Sequence, residues 1–211
     1  LIHDFNHCLK LLWRDKLGQI SLATTTLFWG AGATLQFIVI KWAEQALHLD
    51  LSKASMLQGV VAVGVAIGAV LAAKMVSMRS AVRVIPLGIA MGVIVNVMIF
   101  VTDMPLAMGL MVLIGALSGF FVVPMNALLQ HRGHILMGAG HSIAVQNFNE
   151  NLSILVMTGL YAFLIRSGFS INTVVVAFGL FVAGTMYLVK LRHEANQRQF
   201  DSVAQLDDIR H

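Results

Sequence analysis

The chain has 211 residues, of which 58% are hydrophobic and only 11% are charged. Soluble domains carry about 25% charged residues, so this chain has too little charge to cover a water-facing surface. Its net charge is +4, but the Lys and Arg residues are separated by long apolar runs and form no single basic patch, which excludes nucleic acid as a partner. Because Cys8 is the only cysteine, an internal disulfide is also excluded.

The first element is a short amphipathic segment. Its apolar residues Phe5, Leu9, Leu12 and Trp13 recur at the spacing of one helical face. This pattern predicts a helix that lies on the membrane surface, within a cytoplasmic linker segment of residues 1–18. The alternative interpretation is a soluble linker.

Six apolar segments follow, and each is long enough to cross a hydrocarbon core that needs about 20 helical residues. Membrane β-strands are half as long and alternate in polarity, so the segments predict an all-α membrane protein. We expect a six-helix bundle over residues 19–191 and a loose cytoplasmic tail over residues 192–211. The segments are Leu17–Ile40, Ala54–Ala73, Val84–Thr102, Met104–Gln130, Ser142–Ile165 and Ser167–Val189.

The positive charges predict the orientation of the bundle. If residue 1 is cytoplasmic, 11 of the 14 Lys and Arg residues lie on the cytoplasmic side or in the tail. Because Lys and Arg are enriched in cytoplasmic loops, both termini are predicted to be cytoplasmic.

Small residues recur at a spacing that lets membrane helices approach closely. Helices in lipid associate through such close packing rather than through hydrophobic burial. Three GxxxG pairs therefore predict a tight bundle: Gly64/Gly68, Gly88/Gly92 and Gly115/Gly119.

Polar side chains within the spans are the candidate functional residues, because holding them at membrane depth costs free energy. The functional interpretation is a cavity with a carboxylate that binds a cationic head group or carries a proton. The alternative is a hydrogen-bond network that only holds helices together. The candidate substrate-binding residues are Trp29, Gln36, Asn126, Gln130, Gln146, Asn147 and Glu150.

No pattern of catalytic or metal-binding residues stands out. His131, His134 and His141 lie close in sequence but lack a cysteine or acidic ligand beside them, so we expect no metal. No nucleophile with a neighbouring base and no nucleotide-binding loop is present, so we expect neither a cofactor nor an enzyme.

Three stretches carry a resemblance to a known family. Phe28–Leu35 (FWGAGATL), Gly119–Gln130 (GFFVVPMNALLQ) and Gly138–Asn151 resemble the bacterial lysophospholipid transporters of the major facilitator superfamily. The resemblance extends from about Leu12 to His193. Where that family has a basic residue, this chain has Gln36.

The resemblance implies the C-terminal six-helix half of a twelve-helix transporter, built as an inverted 3+3 repeat. Such a transporter moves 2-acyl-glycerophosphoethanolamine across the bacterial inner membrane by alternating access, as facilitated diffusion. The implied partners are lysophospholipid, membrane lipid, a missing N-terminal six-helix half, and an acyltransferase/acyl-carrier-protein synthetase that re-acylates the lipid.

Two alternative functions remain open at this point. A proton-coupled exporter of drugs or small metabolites would use Glu150 as its proton carrier. A membrane-embedded enzyme or an assembly scaffold would use the polar residues for chemistry or for contacts between proteins.

Overall fold

The structure is a computed structural model that describes residues 2–206. Within that range the chain is helical and has no β-strand, which confirms the all-α fold. Short 3-10 segments lie at Met78–Val84, Asn96–Phe100 and Ala204–Leu206. The α-helices are α1 (Ile2–Arg14), α2 (Lys16–Ala46), α3 (Leu51–Met75), α4 (Ile85–Val95), α5 (Met104–Met137), α6 (Ala139–Arg166) and α7 (Ile171–Gln199).

Six stretches of the described chain are long and apolar enough to cross a membrane. They are α2, α3, the composite Met78–Phe100 that contains α4, and then α5, α6 and α7. These stretches match the six predicted segments in order, so the chain is a multi-pass membrane protein. We call the end of the bundle where α1 lies the α1 end, and the end with the α2–α3 and α6–α7 turns the far end.

Side-chain caps explain where four of these helices begin. Asp15, Asp50, Asp103 and Ser170 each accept a hydrogen bond from the backbone N–H three residues later, at the starts of α2, α3, α5 and α7. Such caps satisfy N–H groups that have no partner within the helix. Gly138, with φ of 79°, joins α5 directly to α6 in a backbone conformation that residues with a Cβ rarely adopt.

Glycines bring the backbones of α3 and α5 together. A Cβ at Gly115 would overlap the carbonyl oxygen of Val61 and lie 3.1 Å from the Cα of Gly64. Gly68 and Gly119 leave equally little room against the facing helix. Two of the three predicted GxxxG pairs therefore pack against each other.

The third glycine pair lies between α4 and α7. A Cβ at Gly92 would be 2.7 Å from the carbonyl oxygen of Gly179, and one at Gly88 would be 3.0 Å from the sulfur of Met186. The amide of Asn96 bonds to the Gly92 carbonyl oxygen at 3.0 Å and fills the space beside Gly179. Asn96 therefore contributes to helix packing.

A buried ion pair links α2 to α5 at the α1 end. The guanidinium of Arg132 donates to both carboxylate oxygens of Asp15, at 2.5 and 3.0 Å. The side chains are only 8% and 11% exposed. Because the same carboxylate accepts the N–H of Gly18, Asp15 caps one helix and contacts another.

The predicted amphipathic helix is present as α1, but its surroundings differ from the prediction. Leu12 is fully buried and Cys8 is 8% exposed, and both pack with Leu22, Leu129 and Val145. This part of α1 is thus covered by α2, α5 and α6, whereas the sequence predicted that lipid would cover the apolar face; Trp13, on the same predicted face, remains 42% exposed. The sequence pattern predicted that α1 is an amphipathic helix. It did not predict that α1 packs against three other helices.

The predicted loose tail is also more ordered than expected in its first part. Helix α7 continues to Gln199, and Asn196 is only 4% exposed. Gln19 accepts hydrogen bonds from the Arg192 Nε at 2.8 Å and from the Asn196 Nδ2 at 3.3 Å. These contacts attach the end of α7 to the start of α2. Residues 207–211 lie outside the described range.

We expect Gly115→Val to lower the stability of the bundle by about 1–3 kcal/mol, because the added methyl groups must displace the backbone of α3. Gly109→Val is the matched control on the same helix, since nothing lies within 4 Å of a Cβ there. Thermal unfolding in detergent, followed by size-exclusion chromatography, measures both. Equal midpoints for the two variants would refute the close contact.

We expect Arg132→Ala to destabilise the protein by about 3–5 kcal/mol, because it leaves the buried carboxylate of Asp15 without its cation. Arg166→Ala, at an exposed position, provides the control. The double variant Asp15→Ala/Arg132→Ala should lose less stability than the sum of the two single variants. Strict additivity in the same thermal assay would argue against a coupled pair.

Candidate substrate site in the bundle

Three of the predicted site residues form a hydrogen-bonded cluster between α5 and α6. Gln146 on α6 is 8% exposed. Its Nε2 donates to the Glu150 Oε1 at 2.8 Å and to the Asn126 Oδ1 at 3.4 Å. Gln146 therefore connects a carboxylate on its own helix to an amide on α5, and we call these three side chains the amide cluster.

Two further predicted residues lie next to the amide cluster and are exposed. Gln130 lies one turn after Asn126 on α5, and Asn147 follows Gln146 on α6. The Asn151 amide, also exposed, donates to the Asn147 carbonyl oxygen at 2.7 Å. The described chain does not cover these amides, so they are accessible to a ligand.

The other two predicted residues, Trp29 and Gln36, line an open cavity of about 560 Å³ between α2, α3 and α5. Its walls are mainly aliphatic and aromatic, and the described residues that line it include no Lys, Arg, Asp or Glu. The remaining lining residues are Phe28, Gly32, Ala33, Leu35, Val39, Gln58, Val61, Ala62, Val65, Ile114, Ser118, Val122 and Ile154.

The cavity and the amide cluster are one helical turn apart. Ile154 lines the cavity and lies one turn after Glu150 on α6. Val122 lines it and lies one turn before Asn126 on α5. The amide cluster is therefore on the α1 side of the cavity, about 6 Å away along the helix axes.

Gln36 is not part of the amide cluster. The hydroxyl of Tyr161 donates to the carbonyl oxygen of Phe37 at 3.4 Å, so this part of α2 is level with Tyr161 on α6. Gln36 is consequently about 15 Å along the bundle from Glu150. The seven predicted residues thus form two groups, with Trp29 and Gln36 in the cavity and five residues in or beside the amide cluster.

Glu150 has no ion-pair partner within residues 2–206. Lys41, on α2, pairs with Glu44 of the same helix at 3.1 Å at the far end. The Glu150 side chain is partly buried, and its hydrogen bond comes from the neutral amide of Gln146. This carboxylate can accept a cationic group or a proton without first losing a salt bridge.

Sequence reasoning missed Gln58 and Thr26. The Gln58 amide donates to the Gln36 carbonyl oxygen at 3.0 Å and lines the cavity. As the only amide in the second apolar segment, it could have been found. Thr26 has a buried hydroxyl without a hydrogen-bond partner in the described chain, but nothing in the sequence distinguishes it from Thr24 and Thr25.

The described part of the chain does not bring three His, Cys, Asp or Glu side chains together as a metal site. His131, His134 and His141 lie near the junction of α5 and α6 and form no such group with acidic residues.

The amino-acid sequence is similar to those of several named proteins. Proteins named lysophospholipid transporter LplT, from Yersinia pestis (strain Pestoides F) and Yersinia pseudotuberculosis serotype O:3 (strain YPIII), are each 42% identical to this chain over 165 residues. This chain is a homologue of the lysophospholipid transporters. The aligned region covers 78% of the chain but only 40% of each relative, so the chain spans well under half of their length.

The resemblance seen in the sequence is therefore confirmed by relatives that match most of the chain. No protein-family model and no solved structure matches it. The relatives are named as transporters rather than as enzymes.

We expect Asn147→Cys and Asn151→Cys, in a Cys8→Ser background, to react with a membrane-impermeant maleimide. Val156→Cys and Leu160→Cys provide the matched controls, because these positions are also exposed on α6 but lie among apolar side chains. A thiol in lipid stays protonated and unreactive, whereas one in water forms the reactive thiolate. Equal labelling rates at all four positions would show that the polar positions are no more accessible to water than the apolar ones, which would contradict the prediction.

Proposed function

We propose that the chain forms one six-helix half of a major-facilitator-type transporter that moves lysophospholipid across the bacterial inner membrane by alternating access. The observation that carries the proposal is the amide cluster one helical turn from an apolar-walled cavity at membrane depth. The names of the homologues support lysophospholipid as the substrate class.

The two parts of the site suit the two parts of a lysophospholipid. In 2-acyl-glycerophosphoethanolamine, the head group carries a phosphate and an ammonium. The Glu150 carboxylate would accept hydrogen bonds from the ammonium, and the exposed amides of Gln130 and Asn147 would donate to phosphate or glycerol oxygens. The apolar walls around Trp29 would contact the single acyl chain, with the amide of Gln36 on the same cavity wall.

The exposed amides of α6 and the open side of the cavity would face another six-helix half. Substrate sites of this transporter class lie between two halves, near the middle of the membrane. The excess of Lys and Arg at the α1 end supports a cytoplasmic position for that end. An acyltransferase/acyl-carrier-protein synthetase would then use the lipid delivered to the inner leaflet.

We expect Glu150→Gln to reduce uptake of labelled lysophosphatidylethanolamine by spheroplasts about tenfold or more, because a hydrogen bond to a charged group contributes about 1.5–3 kcal/mol. Glu194→Gln is the control, since that carboxylate is 46% exposed and lies near Lys190 outside the site. Protein levels are compared by immunoblot. Normal uptake by Glu150→Gln would remove this carboxylate from the site.

The same assay distinguishes facilitated diffusion from proton-coupled export. Collapse of the proton gradient with an ionophore should leave lysophospholipid uptake unchanged. Loss of uptake on collapse would instead favour Glu150 as a proton carrier.

A further inference from the structure

A second, separate groove lies on the side of the bundle between α6 and α7. Both helices pack on α2 but barely touch each other, so α2 forms the floor of the groove. Thr34 and Ile38 supply this floor, while Val156 and Leu160 of α6 face Phe181 of α7 across it. Its volume is about 410 Å³.

This groove shares no lining residue with the cavity beside the amide cluster. Its lining is almost entirely apolar and lies within the membrane-spanning parts of three helices. Val156 and Leu160 are more than half exposed, so the groove opens outward. At that depth the surrounding solvent is acyl chain, and an acyl chain is what can fill it.

The groove ends near two opposite charges at the far end. Tyr161 lines the groove, and its hydroxyl donates to the Phe37 carbonyl oxygen. Lys41 continues the stripe of α2 that contains Ile38, and it contacts Glu44 at 3.1 Å. Both charged side chains are 40–51% exposed. An apolar groove is thus followed, toward the membrane surface, by one cation and one anion.

This order of charges complements a zwitterionic head group. The exposed Lys41–Glu44 pair is weak and easily exchanged for other partners. A lipid phosphate would pair with the ammonium of Lys41, and a lipid ammonium would pair with the carboxylate of Glu44. Each of the four charges would then have a partner of opposite sign. An anionic head group without an ammonium would leave Glu44 unpaired beside a phosphate.

We propose that the α6–α7 groove binds one acyl chain of a zwitterionic diacyl phospholipid of the bilayer, with its phosphate at Lys41 and its ammonium at Glu44. The second chain would remain in the bilayer. The site is distinct from the transport site and does not depend on transport.

The test is native mass spectrometry of the purified protein, titrated with phosphatidylethanolamine, phosphatidylglycerol or lysophosphatidylethanolamine. Wild type should retain one phosphatidylethanolamine in preference to phosphatidylglycerol. Leu160→Trp should abolish this binding by filling the groove. Leu155→Trp is the matched control on the same helix, because Leu155 is 69% exposed and does not line the groove.

The charge substitutions are on the surface and do not threaten folding. Lys41→Gln should weaken binding of both diacyl lipids, and Glu44→Gln should weaken only phosphatidylethanolamine, each by about two- to fivefold. Undiminished binding of phosphatidylethanolamine by Leu160→Trp would overturn the proposal. So would a wild type that binds the two diacyl lipids equally well, with the same two affinities in Glu44→Gln. Binding of lysophosphatidylethanolamine alone would also overturn it, and none of these results would affect the uptake assay.

Discussion

Inside a bilayer, an apolar helix gains nothing by leaving lipid for the surface of another apolar helix, so helices associate through close packing and polar contacts. The bundle depends on this constraint. Glycine faces bring α3 against α5 and α4 against α7 until backbone atoms touch. Helix α2 contacts α5, α6 and α7 and thereby joins these pairs. The positions of the cavity and the groove follow from these contacts.

Helix α6 shows how the same constraint separates two kinds of surface. One exposed side carries Asn147 and Asn151, and another carries Val156 and Leu160. Amides at membrane depth need water, a ligand or protein as partners, whereas aliphatic side chains need none. Between these two sides, the amide of Gln146 donates a hydrogen bond to Asn126 of α5. The site with polar chemistry and the groove for an acyl chain are thus on different sides of one helix.

The features that depend on local sequence were predictable. The six spans follow from length and hydropathy, and the close helix contacts follow from glycine spacing. These properties need no knowledge of how helices are arranged.

The arrangement of the site depends on how far each helix is shifted along its neighbour, and a single sequence does not give this shift. Trp29 and Gln36 share a stripe on α2, yet Gln36 is about 15 Å from the level of Glu150. Likewise, the docking of α7 on Gln19 joins residues 173 to 177 positions apart. No local pattern marks such contacts, which explains why a loose tail was expected there.

Asp15 gives α2 a fixed point. Its carboxylate accepts a hydrogen bond from the first turn of that helix and two from the guanidinium of Arg132 on α5. Among the ion pairs described, none joins the opposite end of α2 to another helix. A helix of 31 residues is about 46 Å long, so a tilt of about ten degrees around Asp15 would swing its opposite end by about 8 Å. Such a tilt would have to break, or carry along, the hydrogen bonds that Gln36 and Phe37 accept from α3 and α6.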